Sequence, residues 1–223
     1  MSGGFPLDIV LWALVAGFIL LRLRAILGRT DEADLARRER RRSMGGRPAQ
    51  ATAGEAPPLA DEERAALAHR GLEQALAAIR RHEPDFTLAH FLEGARAFYP
   101  MILEAYWRGD RETLRAFLVD EVHEDFARAI AAREEAGETV EGRVESLERV
   151  TVEDIRLDGR EAEIDLRYVA RIALATKDGE GRVIAGDPER AERVEDIWTL
   201  TRRLGDPDPN WRLAATRRAD DDA

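Results

Sequence analysis

After Gly137 the apolar spacing of this chain changes from a period of 3.6 to a period of 2, and it does not change back. Every helical pattern of the chain lies before that point and every strand pattern of the body lies after it. Helices first and an antiparallel meander after imply an α+β domain, with the helices packed on one face of a single curved sheet.

The helical half is well punctuated. Asp61 is placed as an N-cap, with Glu62 and Glu63 in the first turn, and Leu67, Leu72, Leu76 and Ile79 continue an amphipathic helix to about His82, before Pro84. Thr87 caps the next helix, Leu88 to Arg108. Its apolar arc is wide: Phe91, Ala95, Phe98, Ile102 and Tyr106 on one stripe, Leu88, Leu92, Tyr99 and Leu103 on a second. A helix apolar over so much of its surface is central and covered on more than one side. Pro100 removes one backbone donor, frees the Arg96 carbonyl and predicts a kink. Gly109 suits a left-handed helix end and Asp110 a cap for a short helix holding Leu114, Phe117 and Leu118. Asp120 is placed to cap a fourth helix, with Val122, Phe126, Ala129 and Ile130 on one face, ending at Gly137.

The strand half reads as Val144–Leu157, then Asp158-Gly159 as a tight hairpin signal, then Ala162–Thr176 with Ile164, Leu166, Tyr168, Ala170, Ile172 and Leu174 on one face. After an irregular excursion around Gly186-Asp187-Pro188 come Val194–Arg202 and, past a proline-rich turn, Trp211–Thr216. A long curved strand pair laid over a helix leaves a cone-shaped space. Phe91, Phe98, Tyr99, Ile164, Leu166, Tyr168, Asp196, Trp198 and Trp211 are the candidate lining of that space.

Ahead of this body, the run Ile9–Leu21 is uncharged and apolar, and the helical pattern extends to Phe5–Leu27 if Arg22 and Arg24 snorkel. At 1.5 Å per residue the longer segment spans about 34 Å, enough for a bilayer core of about 30 Å. A cleavable leader asks for cations before the apolar run; here Asp8 precedes it and Arg22, Arg24 and Arg29 follow. Residues 1–29 therefore read as an uncleaved single-pass anchor with its basic flank on the cytoplasmic side. Residues 30–60 read as a charged and then disordered linker, because Ser43–Ala60 has no apolar period to offset the entropy of ordering. Residues 61–218 form the body and 219–223 an acidic tail.

Charge is divided along the chain. Residues 1–47 carry a net +4 and the remainder −14, within a total of −10. An acidic body argues against nucleic acid as a partner. The arginines beside the anchor face anionic lipid headgroups, each worth about 1 kcal/mol of attraction. No cysteine is present, which excludes disulfides, thiolate metal ligands and a thiol nucleophile. His69, His82, His90 and His123 form no metal-ligand spacing, the serines sit in no nucleophile elbow, and no phosphate-binding glycine loop occurs. No catalytic residue, metal or cofactor is expected. The one acid–base candidate is Asp196, two residues before Trp198 on the same strand face, where burial would raise its pKa.

Four separated segments carry a resemblance: Phe91-Leu92-Glu93-Gly94-Ala95-Arg96, Gly109-Asp110-Arg111-Glu112-Thr113-Leu114, Asp196-Ile197-Trp198-Thr199 and Asp208-Pro209-Asn210-Trp211-Arg212-Leu213. Together they resemble the domain of the mitochondrial import inner-membrane translocase subunit 44 family, and in particular its bacterial single-anchor branch, over about Leu72 to Thr216. Pro100 departs from that pattern. The resemblance implies a fold similar to the nuclear-transport-factor-2-like or cystatin-like cone. It also implies a non-enzymatic adaptor at the bacterial inner membrane, its C-terminal domain in the cytoplasm, with chaperone or translocation machinery as protein partner and a link to protein transport. Two other expectations stand beside it: a carrier or sensor of a lipid or other apolar ligand in the cone, and a pocket enzyme using Asp196.

Overall fold

The computed structural model describes residues 72–219. The expected anchor, its arginines Arg22, Arg24 and Arg29, the linker, the Asp61 cap and the tail beyond Ala219 lie outside the described residues. Among the described residues no helix is long and apolar enough to cross a membrane.

Four helices precede four strands. Helix α1 (Leu72–His82) buries Leu72, Leu76 and Ile79, one side of its cylinder, and ends on Arg80, Arg81 and His82, whose charges suit the negative end of the helix. Helix α2 (Leu88–Arg108) starts and stops where its punctuation predicts. The Thr87 hydroxyl accepts from the His90 backbone N–H at 3.3 Å, and Gly109 closes the helix at φ +72°. Pro100 lies inside α2 without ending it. Helix α3 (Arg111–Phe117) is capped by Asp110, which accepts from the Thr113 N–H at 3.0 Å.

Helix α4 (Asp120–Glu135) departs from its expected start. Val119 occupies the cap position, and Asp120 is the first helical residue with no side-chain cap bond made. The cause is tertiary: the Val119 N–H donates to the Leu213 carbonyl at 3.0 Å, which fixes the chain in an extended form one residue early. Leu118 forms a parallel bridge with Leu213 at the same place.

The sheet is a four-stranded antiparallel meander in the order β1 (Thr139–Asp158), β2 (Glu161–Lys177), β3 (Val183–Arg203), β4 (Arg212–Arg218). Three register irregularities in β1, between Val144 and Ser146, Leu147 and Arg149, and Val152 and Asp154, bend the strand over the helices. Gly159 turns the first hairpin at φ +61° as the first of two loop residues, as a type II′ turn requires. Two strands are longer than their sequence patterns. β1 begins at Thr139, not Val144, and β3 at Val183, not Val194, so the stretch around Gly186-Asp187-Pro188 lies within a strand, and its expected irregularity persists there as a bulge at Pro188, Glu189 and Arg190. Backbone pairing with β2 on either side of that bulge decides this, since Glu192 and Arg193 give no apolar alternation. β4 is Arg212–Arg218 where Trp211–Thr216 was expected.

The core lies between α2 and the concave face of the sheet. Tyr99, Tyr168, Ile164, Leu166 and Ile102 are fully buried there. The Tyr99 and Tyr168 rings stack at 4.5 Å, with Trp198 tilted 4.6 Å from Tyr99. The Tyr168 hydroxyl donates to the Ala95 carbonyl at 3.2 Å, so the α2 backbone is tied to the middle of β2.

Candidate functional site

Where the first half of α2 runs past the end of β3, the layers part and leave an open groove of about 710 Å³. One wall is the α1–α2 loop, Glu83 to Thr87. The opposite wall is the end of β3 with the loop before β4, through Leu200, Arg202, Pro209, Asn210 and Trp211. The α2 side presents His90, Phe91, Gly94, Ala97, Phe98 and Met101, recurring at intervals of three and four, with Phe117 of α3 at the far end.

Five aromatic rings, Phe86, Phe91, Phe98, Phe117 and Trp211, line the groove beside the polar groups of its rim. Trp211 meets Phe91 edge-on at 4.9 Å and Phe86 at 6.2 Å, so the two walls touch across Phe91. Phe98 contacts Phe117 at 6.0 Å and Trp198 at 6.3 Å, linking the groove to the core behind it. Gly94 and Ala97 are exposed on the helix between these clusters. An added Cβ at Gly94 would meet no atom within 4 Å, so the floor is open at that point.

One ion pair holds the walls in place. Arg202 donates two parallel hydrogen bonds to Glu83, at 2.8 and 3.1 Å. Glu83 Oε1 also accepts from the Gly205 N–H at 2.9 Å, and Arg202 Nε donates to the Asp208 carbonyl at 3.3 Å. The side chains are 14% and 18% exposed. That is dry enough for geometry of this kind to count for more than an exposed pair.

The residues proposed from sequence as pocket lining fall into two groups. Phe91, Phe98 and Trp211 border the groove. Tyr99, Ile164, Leu166, Tyr168 and Trp198 are buried in the core beneath it. Asp196 stands with the second group, on the concave face of β3. It accepts a hydrogen bond from the Tyr99 hydroxyl at 2.6 Å. Burial pushes the Asp196 carboxyl up from the ordinary aspartate range, against the opposing pull of that hydrogen bond and of the Arg218 charge. The same burial, reinforced by Asp196, drives the Tyr99 phenol well above its ordinary value. The pair is thus a carboxylate held by a phenol that keeps its proton.

Sequence reasoning missed Glu83, Arg202, Phe86 and Met101 as groove residues. Glu83 and Arg202 are 119 positions apart, and only the meander brings them together. His90 borders the groove and lies 3.7 Å from Glu93, both highly exposed. Among the described residues no group of three or more His, Cys, Asp or Glu is placed to hold a metal ion.

Residues 72–218 match the Tim44-like domain. The mouse mitochondrial import inner membrane translocase subunit TIM44 is 24% identical over 145 residues, covering 64% of this chain and 32% of that protein. The human protein of the same name is 22% identical over the same coverage. A probable translocase subunit, tin-44 of Caenorhabditis elegans, is 23% identical over 117 residues, 51% of this chain and 28% of that one. The chain thus spans about a third of the length of the curated relatives it matches. Among solved structures, the intermembrane space region of the chloroplast protein ARC6 aligns with a TM-score of 0.32 at 12% identity, over 55% of this chain and 95% of that one.

Proposed function

The chain belongs to the Tim44-like domain family, and from that premise we propose that it serves protein translocation as a non-enzymatic adaptor, offering the groove to a protein partner beside a membrane. The observation behind this reading is the extent of the match, which takes in every helix and strand described and both walls of the groove. Relatives in mouse and human are named as subunits of an import translocase. The finer parts of the proposal come from the sequence. Residues 1–29 anchor the chain in the bacterial inner membrane, Arg22, Arg24 and Arg29 face anionic headgroups on the cytoplasmic side, and the partner is a chaperone or translocation component.

Proximity labelling from the C-terminus of the full chain in living cells tests topology and partner together. Enrichment of cytoplasmic chaperones or translocation components supports the adaptor. Labelling confined to the opposite side of the membrane, or recovery of the intact chain in the soluble fraction without detergent, ends it.

The groove favours one second reading, a carrier or sensor of a lipid or similar apolar ligand. Its volume falls within the range of about 300–1,000 Å³ usual for small-molecule sites, and its lining combines aromatic and aliphatic side chains with a few polar groups such as Glu83, Arg202 and Asn210. Native mass spectrometry of the chain extracted gently from membrane separates the two. A retained acyl lipid supports the carrier, and the bare chain mass argues against it.

A further inference from the structure

The floor of the groove has the spacing of a helix–helix seam. Thr87, His90, Gly94, Ala97 and Met101 all border the groove and follow one another on α2 at intervals of three, four, three and four. Gly94 and Ala97, at the middle, are small and exposed, and a Cβ on Gly94 would meet nothing within 4 Å. Residues of that size let a second backbone come close. From Thr87 to Met101 the floor is about 21 Å long.

A segment of this chain outside the described residues carries the complementary sequence. Ile9, Ala13, Ala16, Leu20 and Leu23 recur at four, three, four and three. Laid antiparallel on α2 with Ala13 opposite Ala97 and Ala16 opposite Gly94, the two series stay in step along the whole floor. Ile9 then reaches Met101, Leu20 reaches His90 and Leu23 reaches Thr87. Small residues meet at the centre and larger ones at both ends. As a helix the uncharged run Ile9–Leu21 spans about 20 Å, the length of this floor but short of a bilayer core of about 30 Å unless Arg22 and Arg24 snorkel.

Charge selects the same direction. Arg22 and Arg24, which follow the run, arrive at the α1–α2 loop beside Asp85. Asp85 borders the groove, is exposed and enters no ion pair among the described residues. The antiparallel order also sets the negative C-terminal end of the segment against the positive N-terminal end of α2. The stretch between Leu23 and Asp61 extends to about 130 Å, against about 33 Å from Asp61 to His82 were that part helical throughout, so the segment reaches its own groove.

We propose that residues 9–23 are a removable occupant of the groove: off the membrane they dock on α2 of their own chain as an antiparallel helix, and insertion into a bilayer withdraws them and opens the groove. The groove so closed is the one offered to a partner in the adaptor reading, on which the proposal rests. A chain away from the membrane is then unreceptive.

The full chain has no cysteine, so paired substitutions report the docking directly. Ala13→Cys with Ala97→Cys, in full-length chain synthesised without membrane or detergent, is expected to form an intramolecular disulfide on mild oxidation. Its yield should be roughly tenfold that of Ala13→Cys with Glu180→Cys, whose second thiol is exposed at the β2–β3 turn. Leu20→Cys with His90→Cys repeats the test at the other end of the floor, and circular dichroism identifies any variant that fails to fold. Vesicles of phosphatidylethanolamine and phosphatidylglycerol should suppress both disulfides in the chain that floats with them. Equal yields for the opposed and the Glu180 pairs in folded chain, or a disulfide that forms as readily in chain floated with vesicles, overturn the proposal. Failure of the anchor reading is seen separately, as a chain that never floats, and a disulfide formed there still upholds the docked segment.

Discussion

Trp107 lies flat against the backbone of Gly142: a Cβ built on that glycine would fall 2.5 to 2.7 Å from three atoms of the indole. Gly142 is inside β1, opposite Leu174, where glycine would ordinarily weaken a strand. Here the missing side chain is the space the last turn of α2 needs to reach the sheet. Trp107 is 7% exposed as a result.

Gly142→Ala is therefore expected to destabilise the fold by about 1–3 kcal/mol, the usual cost of overpacking. Trp107→Leu should also destabilise, through lost burial. The double variant should cost less than the sum of the two, because the smaller side chain makes room for the methyl. Urea denaturation of the three variants checks this, and strict additivity would show that the contact is not the cause.

Two buried aspartates should respond to pH in opposite senses. At Asp196 burial raises the native pKa, so the folded state holds the proton more firmly than the unfolded chain. Its contribution is fully present below about pH 3.9, the unfolded value, and is lost as pH rises through the raised native value. At Asp165 burial also pushes upward, but hydrogen bonds from Arg156 at 2.9 Å and Thr199 at 2.7 Å outweigh it and hold the carboxyl below its ordinary range. That contribution is present above about pH 3.9 and lost as pH falls through the lowered native value. Relative to the parent, Asp196→Asn should gain stability as pH rises above about 3.9, while Asp165→Asn should gain it as pH falls below about 3.9. Parallel curves of unfolding free energy against pH for parent and both variants would refute the assignment.

Breaking the groove clamp should separate fold from groove. Glu83→Gln leaves Arg202 without its carboxylate, the Gly205 N–H without a charged acceptor, and the Phe86 and Trp211 walls free to part. The expected cost is about 1–3 kcal/mol, since the pair is largely desolvated. Trp211 emission should shift to the red as its contact with Phe91 opens. The same stability loss with an unchanged Trp211 spectrum would mean that the ion pair steadies the loops without setting the groove.

Legibility in the sequence followed the range of the interactions. Helix α2 was readable to the residue because Thr87 and Gly109 act within one turn of the ends they fix. β2 was readable from the alternation Ile164, Leu166, Tyr168. The cap at Asp120 failed because Leu213, on another element, holds Val119. Thr139–Arg143 of β1 and Val183–Arg193 of β3 were hidden because a glycine and a run of charges stand where backbone pairing on β2, and not side-chain pattern, sets most of the strand. Of the site, Phe91 and Phe98 were legible in the apolar stripe of α2, and Trp211 as a large apolar group after a proline-rich turn. Glu83 with Arg202, and Tyr99 with Asp196, are pairs distant in sequence, and charge or polarity at one position carries no sign of its mate.

Gly94 offers the cleanest way to close the groove without touching the core. It is exposed on α2, borders the groove, and has no atom within 4 Å of where a Cβ would stand. Gly94→Ala should stabilise the protein by about 1 kcal/mol, because glycine in a helix interior costs that much relative to alanine, and should leave partner capture intact. Gly94→Phe adds a ring directed from the floor into the space between Phe91 and Phe98. It should keep the fold, judged by an unfolding midpoint close to the parent's, while abolishing the C-terminal labelling pattern or the retained lipid, whichever the parent shows. A folded Gly94→Phe chain that still gives the parent's pattern would move the interaction surface away from this groove, and with it the reason for the aromatic lining of the two walls.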